Sequence, residues 1–101
     1  MHKEIYDLLM NIRKRPGVYL GQKSLTLLSF TLGGYLLRMN HEGIPCLDEM
    51  SGFQEFVEKR YDNSTHRWNM IIRFYSASEA EAFDRFYELF DEYLSENSEE
   101  I

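Results

Sequence analysis

Residues Arg13 to Ser24 read R-K-R-P-G-V-Y-L-G-Q-K-S, and no other stretch limits the fold as strongly. Pro16 has no N–H, fixes its own φ and biases Arg15 away from the helical region. A helix arriving from the N-terminus therefore has to stop near Lys14. Gly17 and Gly21 accept positive φ, which suits two tight turns bracketing Val18, Tyr19 and Leu20. The stretch reads as an ordered elbow that pins those three apolar side chains under the fold. Arg13, Lys14, Arg15 and Lys23 are left outside, and Arg15, Pro16, Gly17, Tyr19 and Gly21 form the structural signature of the bend.

Helical periodicity lies on both sides of the elbow. Before it, Ile5, Leu8, Leu9 and Ile12 fall at i, i+3, i+4 and i+7, with Tyr6 and Met10 widening the stripe. After it, Ser24 is placed to cap a longer helix reaching about Asn40. The face of that helix is Leu28, Leu32, Tyr35, Leu36 and Met39, and Leu25, Leu27 and Phe30 broaden it to nearly all sides, as in the central helix of a bundle. Gly33 and Gly34 lie in its middle at a cost of roughly 1 kcal/mol each relative to Ala. Either another helix approaches closely there or the helix kinks. Asn40, Gly43 and Pro45 then open a loop.

Ser51 with Gln54 has the form of a capping box, and Phe53, Phe56, Val57 and Tyr61 follow at helical spacing, giving a third helix from about Gly52 to Tyr61. Residues 62–64 break it. Between Trp68 and Tyr75 two periods compete. Trp68, Ile71, Ile72 and Tyr75 fit a helix, whereas Trp68, Met70, Ile72 and Phe74 alternate as in a strand. No second strand is evident to pair with it, so helix is preferred, with an α+β fold as the alternative. Ser78 to Glu81 forms a second capping box, and Phe83, Phe86, Phe90 and Tyr93 or Leu94 supply a buried stripe to about Ser95. Residues 97–101 read as a frayed tail. The expectation is an all-α, single-domain bundle of about five helices spanning residues 1–101 around a leucine- and aromatic-rich core.

Charge is distributed unevenly. Residues 1–47 hold six Lys/Arg against three Asp/Glu, a net of +3. Residues 48–78 hold four against five, a net of −1, and residues 79–101 hold one against nine, a net of −8. The basic elbow and acidic final helix either satisfy each other within the monomer or offer two faces to partners. The one cysteine, Cys46, cannot form an internal disulfide, which fits a reducing cytoplasm. The N-terminus lacks the apolar run of a signal peptide, and no stretch has the length to span a membrane.

The residues do not assemble a catalytic constellation. His2, His41, His66 and Cys46 lack metal-ligand spacing, so neither metal nor cofactor is expected. Cys46 near His41 has no orienting third group and reads as a partly buried spectator thiol. Asp84 with Glu88, and Glu88 with Asp91 or Glu92, are paired carboxylates on the water side of a helix, where general acid–base work lacks the desolvation it needs. Gly17 and Gly21 beside basic residues lack the spacing of a P-loop and have no preceding strand. Four cations on an acidic chain argue against nucleic acid as a partner. The many aromatic residues from Trp68 to Phe90 have the spacing of buried faces.

Two resemblances attach to these motifs. The run K-R-P-G-V-Y-L-G at Lys14 to Gly21 resembles a segment near the start of the ATPase domains of DNA gyrase B and topoisomerase IV. It covers about ten residues, and the adenine, magnesium and lid motifs of such a domain do not follow. Over most of the chain, R-P-G-V-Y-L-G-Q-K-S-L, the helix with Gly33, Gly34 and Tyr35, Trp68, and S-A-S-E-A-E-A-F-D-R-F-Y-E-L at Ser76 to Leu89 resemble a family of small bacterial proteins. Members of that family lie beside polymorphic or contact-dependent toxin genes and are taken to be immunity proteins. The resemblance implies a non-enzymatic cytoplasmic module that binds a cognate toxin domain and occludes its active site. On that reading Asp84, Glu88, Asp91 and Glu92, extended by Glu96, form the partner face, with Tyr87 and Tyr93 as aromatic anchors. The alternatives are a regulatory or oligomerising domain that forms a homodimer through Gly33 and Gly34, and a nucleotide- or nucleic-acid-binding protein using the basic elbow.

Overall fold

The computed structural model describes residues 1–45 and 48–99. Among them are six helices and no strand: α1 (Lys3–Lys14), α2 (Pro16–Leu20), α3 (Leu25–His41), α4 (Ser51–Tyr61), α5 (Trp68–Phe74) and α6 (Glu79–Glu99). The all-α expectation holds, with the elbow itself supplying the sixth helix. The expectations for Cys46 and for residues 100 and 101 lie outside the described residues. Residues 97–99, expected to fray, continue α6.

α1 ends where the proline requires. Arg15 leaves the helical region at φ −137°, ψ 63°, and Pro16 starts α2 at its first position, where the missing N–H has no intrahelical role. Gly21, at φ 82°, closes α2, and its N–H donates to the Gly17 carbonyl. The elbow is therefore one short helix with one left-handed exit, and Gly17 takes an ordinary helical conformation. Its expected role as an apolar insert is corrected. Pro16 and Leu20, four residues apart, share the inward side, while Val18 is 75% exposed and Tyr19 is also exposed. Two of the three apolar side chains thus lie outside.

Ser24 caps α3 as its sequence suggests, its hydroxyl accepting from the Leu27 N–H at 3.2 Å. Leu25, Leu28, Leu32, Leu36 and Met39 form the buried stripe. The apolar surface of α3 does not close around the helix, because Phe30 and Leu37 face outward. Close approach within the monomer does not explain Gly33 and Gly34: a Cβ on either would meet nothing within 4 Å, and one continuous helix runs through both. The glycine that does admit a neighbour is Gly52 on α4, against which the Tyr93 ring of α6 rests.

The second capping box forms only at α6. Ser78 Oγ accepts from the Glu81 N–H, and the Glu81 carboxylate reaches back to the Ala77 N–H. At α4 the helix already includes Ser51, and no side chain caps Met50. Gln54 is thereby released to bind α5: its carbonyl accepts from the Trp68 N–H at 2.6 Å and its amide donates to the His66 carbonyl at 2.9 Å. Asp62, at φ 50°, ends α4. The segment from Trp68 is helical, since Trp68, Ile71 and Ile72 enter the core together. Phe53 sits at the centre of that core, in edge contact with Trp68, Phe86, Phe90 and Tyr93 at 5.4–5.8 Å between ring centroids.

Candidate functional site: an acidic groove and an apolar helix face

The final helix was the expected partner face, and its carboxylates are engaged from within the chain. Arg13 of α1 donates two hydrogen bonds to Asp91, at 2.9 and 2.8 Å. Lys23 pairs with Asp84 at 2.7 Å, and Arg60 of α4 pairs with Glu92. Each cation also lies over an aromatic ring: Arg13 over Tyr87 at 5.1 Å, Lys23 over Phe83 at 5.9 Å and Arg60 over Phe56 at 5.4 Å. Their apolar stems cover core rings while their heads end on α6 acids. Glu88 reaches only Arg85 of its own helix, at 3.8 Å. Glu96 is exposed.

Tyr87 is no surface anchor. It is 3% exposed, and its hydroxyl donates to the Leu9 carbonyl at 2.6 Å. Burial pushes its phenol far up, with Arg13 pulling partly the other way. The buried spacing read for the aromatics from Trp68 to Phe90 holds for Tyr87, which lies on one side of α6 with Phe83 and Phe90, and it is the anchor role implied by the resemblance that is corrected. Tyr93 is half-buried against α4. Asp84, Asp91, Glu92 and Tyr87 are thus tied into the monomer, and the notion of a free acidic α6 face is corrected.

At its start α6 carries one more engaged carboxylate, Glu79. Burial opposes its ionisation, but hydrogen bonds from the Thr26 N–H and hydroxyl, from Arg73 and from the Ser24 hydroxyl outweigh that and bring its pKa from 4.5 to about 2. Glu79 therefore joins the start of α3, the end of α5 and the start of α6.

A further set of open acids lies elsewhere. Asp48, Glu49, Glu55 and Glu58 fall within eleven residues that contain no Lys or Arg, a net of −4. Among the described residues none of the four forms an ion pair; the Glu49 carboxylate accepts from the His2 N–H and the Glu58 carboxylate from the Gln54 amide. Asp48, Ser51, Glu55 and Glu58 line a shallow groove of about 430 Å³, closed on one side by Gln54 and Arg67. Gln54 connects this groove to α5 through His66 and Trp68.

Beyond that connection α5 turns an apolar face to solvent. Phe74 is 79% exposed, and Met70 and Tyr75 are also exposed. Asn63, His66, Met70, Ile71 and Phe74 line a cavity of about 170 Å³, the size of one apolar side chain. Tyr75 stacks on Tyr61 at 4.9 Å and meets Phe74 edge-on at 5.0 Å. Expecting the aromatics from Trp68 onward to be core is correct for Trp68, Phe83, Phe86, Tyr87 and Phe90 and incorrect for Phe74 and Tyr75. A seven-residue helix can bury one side only, and Trp68, Ile71 and Ile72 occupy it.

Of the elbow cations, Arg13 and Lys23 are held in ion pairs, while Lys14 and Arg15 are exposed. Among the described residues no group of three His, Asp or Glu side chains is placed to hold a metal ion, and no helix is long and apolar enough to cross a membrane. Comparison with family models, with curated proteins and with solved structures finds no match for this chain.

Proposed function

We propose that this chain is a non-enzymatic protein-binding module of the immunity type, which neutralises a cognate bacterial toxin in the cytoplasm by covering its active site. The observation that carries the reading is the open acidic groove of α4 running into the exposed apolar face of α5. Unpaired carboxylates beside an unfilled apolar cavity suit a basic protein surface that carries one apolar anchor. Asp48 and Glu55 steer the partner and set its register, while the cavity bounded by Met70, Ile71 and Phe74 receives the anchor. Catalytic clefts that bind polyanions have such basic surfaces, and covering one needs no chemistry from the inhibitor. The family resemblance supplies the toxin, and the groove supplies the way to hold it.

The test is co-expression with the proposed toxin partner, sought in the reading frames next to this gene. A stoichiometric complex and restored growth are expected, both lost when Phe74→Asp is combined with Glu55→Lys. A toxin that is neither bound nor blocked, or a complex indifferent to that double change, overturns the reading.

A further inference from the structure

Gly33 and Gly34 are the two least helix-favouring residues after proline, placed in the middle of a seventeen-residue helix. Nothing in the monomer uses them, since a Cβ on either would stand in open space. Immediately beside them on the same side of α3 lie Phe30, 71% exposed, and Leu37, 63% exposed. The four positions fall at i, i+3, i+4 and i+7 and form one continuous helix face.

We infer that this face is a self-association surface whose occupant is a second copy of the same chain. The register argues for it. Phe30 and Leu37 sit symmetrically about the Gly33–Gly34 midpoint, so an antiparallel two-fold crossing centred there places Phe30 of each copy opposite Leu37 of the other. Gly33 then meets Gly34, which is the self-complementary pairing an isologous contact requires. The missing Cβ atoms let the two backbones approach, and each Leu37 comes to lie beside the partner copy's Phe30 and Gly33. There a groove of about 200 Å³, lined also by Ser29, Leu36 and Asn69, is open to receive it. Residues 24–37 carry no Asp, Glu, Lys or Arg, so the two crossing helices bring no charge of their own together, and Arg67 is the one charged side chain lining the groove. The area is small, because two side chains and a stretch of backbone fall short of the roughly 800 Å² per partner of a stable complex. The dimer is accordingly weak, with a dissociation constant on the order of 100 µM.

Sedimentation velocity and light scattering of the full chain from about 10 µM to 1 mM test this. Mass is expected to rise from monomer towards dimer across that range. Leu37→Glu or Phe30→Lys, both at exposed positions, abolish the rise without changing the circular dichroism. Gly34→Ala gives two readouts of opposite sign, a higher melting temperature and self-association at least about fivefold weaker, because the added methyl aids the isolated helix and obstructs the crossing. An equimolar mixture of the Phe30→Lys and Leu37→Glu chains recovers dimer, since position 30 faces position 37. A chain that stays monomeric to 1 mM, a dimer indifferent to Leu37→Glu, or a mixture that stays monomeric overturns the inference. None of these outcomes depends on toxin binding, which uses α4 and α5.

Discussion

Two acidic regions of this molecule have opposite fates. α6 is the more acidic by count, yet Asp84, Asp91 and Glu92 are met by Lys23, Arg13 and Arg60 from three other parts of the chain. The stretch from Asp48 to Glu58 has fewer carboxylates, and among the described residues no cation lies within ion-pair distance of any. A charge count along the sequence ranks the two in one order, and the charge available to a partner ranks them in the other. What decides is where the cations of α1, α4 and the elbow fall in space. Those cations rest over aromatic rings of the core, so packing brings them to α6.

The comparison breaks most visibly at the aromatic residues. If α6 is structural, Tyr87→Ala destabilises the fold by about 4 kcal/mol, the range for emptying a buried aromatic site, in urea or thermal unfolding. Phe74→Ala, on α5, changes stability by less than about 0.5 kcal/mol. On the proposed function, the same Phe74→Ala costs roughly 2 kcal/mol of partner affinity, about thirtyfold, in calorimetry or surface-bound kinetics, as expected of a residue bounding the pocket that receives the partner's anchor. A Tyr87→Ala chain that folds normally and only loses binding reverses the roles assigned to the two helices.

Glu79 sharpens the contrast through pH. Its folded pKa of about 2 lies below the ordinary 4.5, so its contribution is present above pH 4.5 and is lost as pH falls through about 2. Glu79→Gln is expected to remove roughly 1.5 kcal/mol at neutral pH and to flatten the acid limb of the stability profile between those values. Glu55→Gln, at an unpaired exposed carboxylate, leaves both unchanged within about 0.5 kcal/mol. The smallest effect belongs to the ion pairs themselves. A double-mutant cycle of Arg13→Ala and Asp91→Ala should give a coupling of about 0.5–1 kcal/mol, since the pair is bidentate but half-exposed, and added salt should reduce it.

Local backbone chemistry was legible in the sequence. Pro16 stopped α1, Ser24 capped α3, Ser78 with Glu81 capped α6, and the periodic apolar residues gave an all-α core. Features that depend on distant residues were not. That the basic elbow and the acidic final helix could satisfy each other was legible, but Arg13 and Asp91 are 78 positions apart, and no linear reading selects that pair. Ser51 with Gln54 looked like a capping box because the pattern is local, but Met50 sits at φ −94°, ψ 7°, close to helical, and Gln54 was drawn instead to the His66–Trp68 backbone. The outward turn of Val18 follows from the elbow being a helix, which the two glycines had argued against. For the candidate site, the expectation put the free acidic face on α6, where Asp84, Asp91 and Glu92 are paired within the chain. The run of four acids without a base between Asp48 and Glu58 was the available signal, hidden when charge was summed over a longer segment that also contains Lys59, Arg60, Arg67 and Arg73.

The central claim is that α4, and not α6, presents the charge that a basic partner encounters. The direct measurement is the association rate of the proposed toxin partner at low ionic strength with two charge-reversed chains, Asp48→Lys with Glu55→Lys and Asp84→Lys with Asp91→Lys. The account predicts that the α4 pair slows association by about tenfold and flattens its salt dependence, while the α6 pair lowers stability and leaves the rate of the folded fraction within about twofold. A rate that falls for the α6 pair and holds for the α4 pair contradicts it.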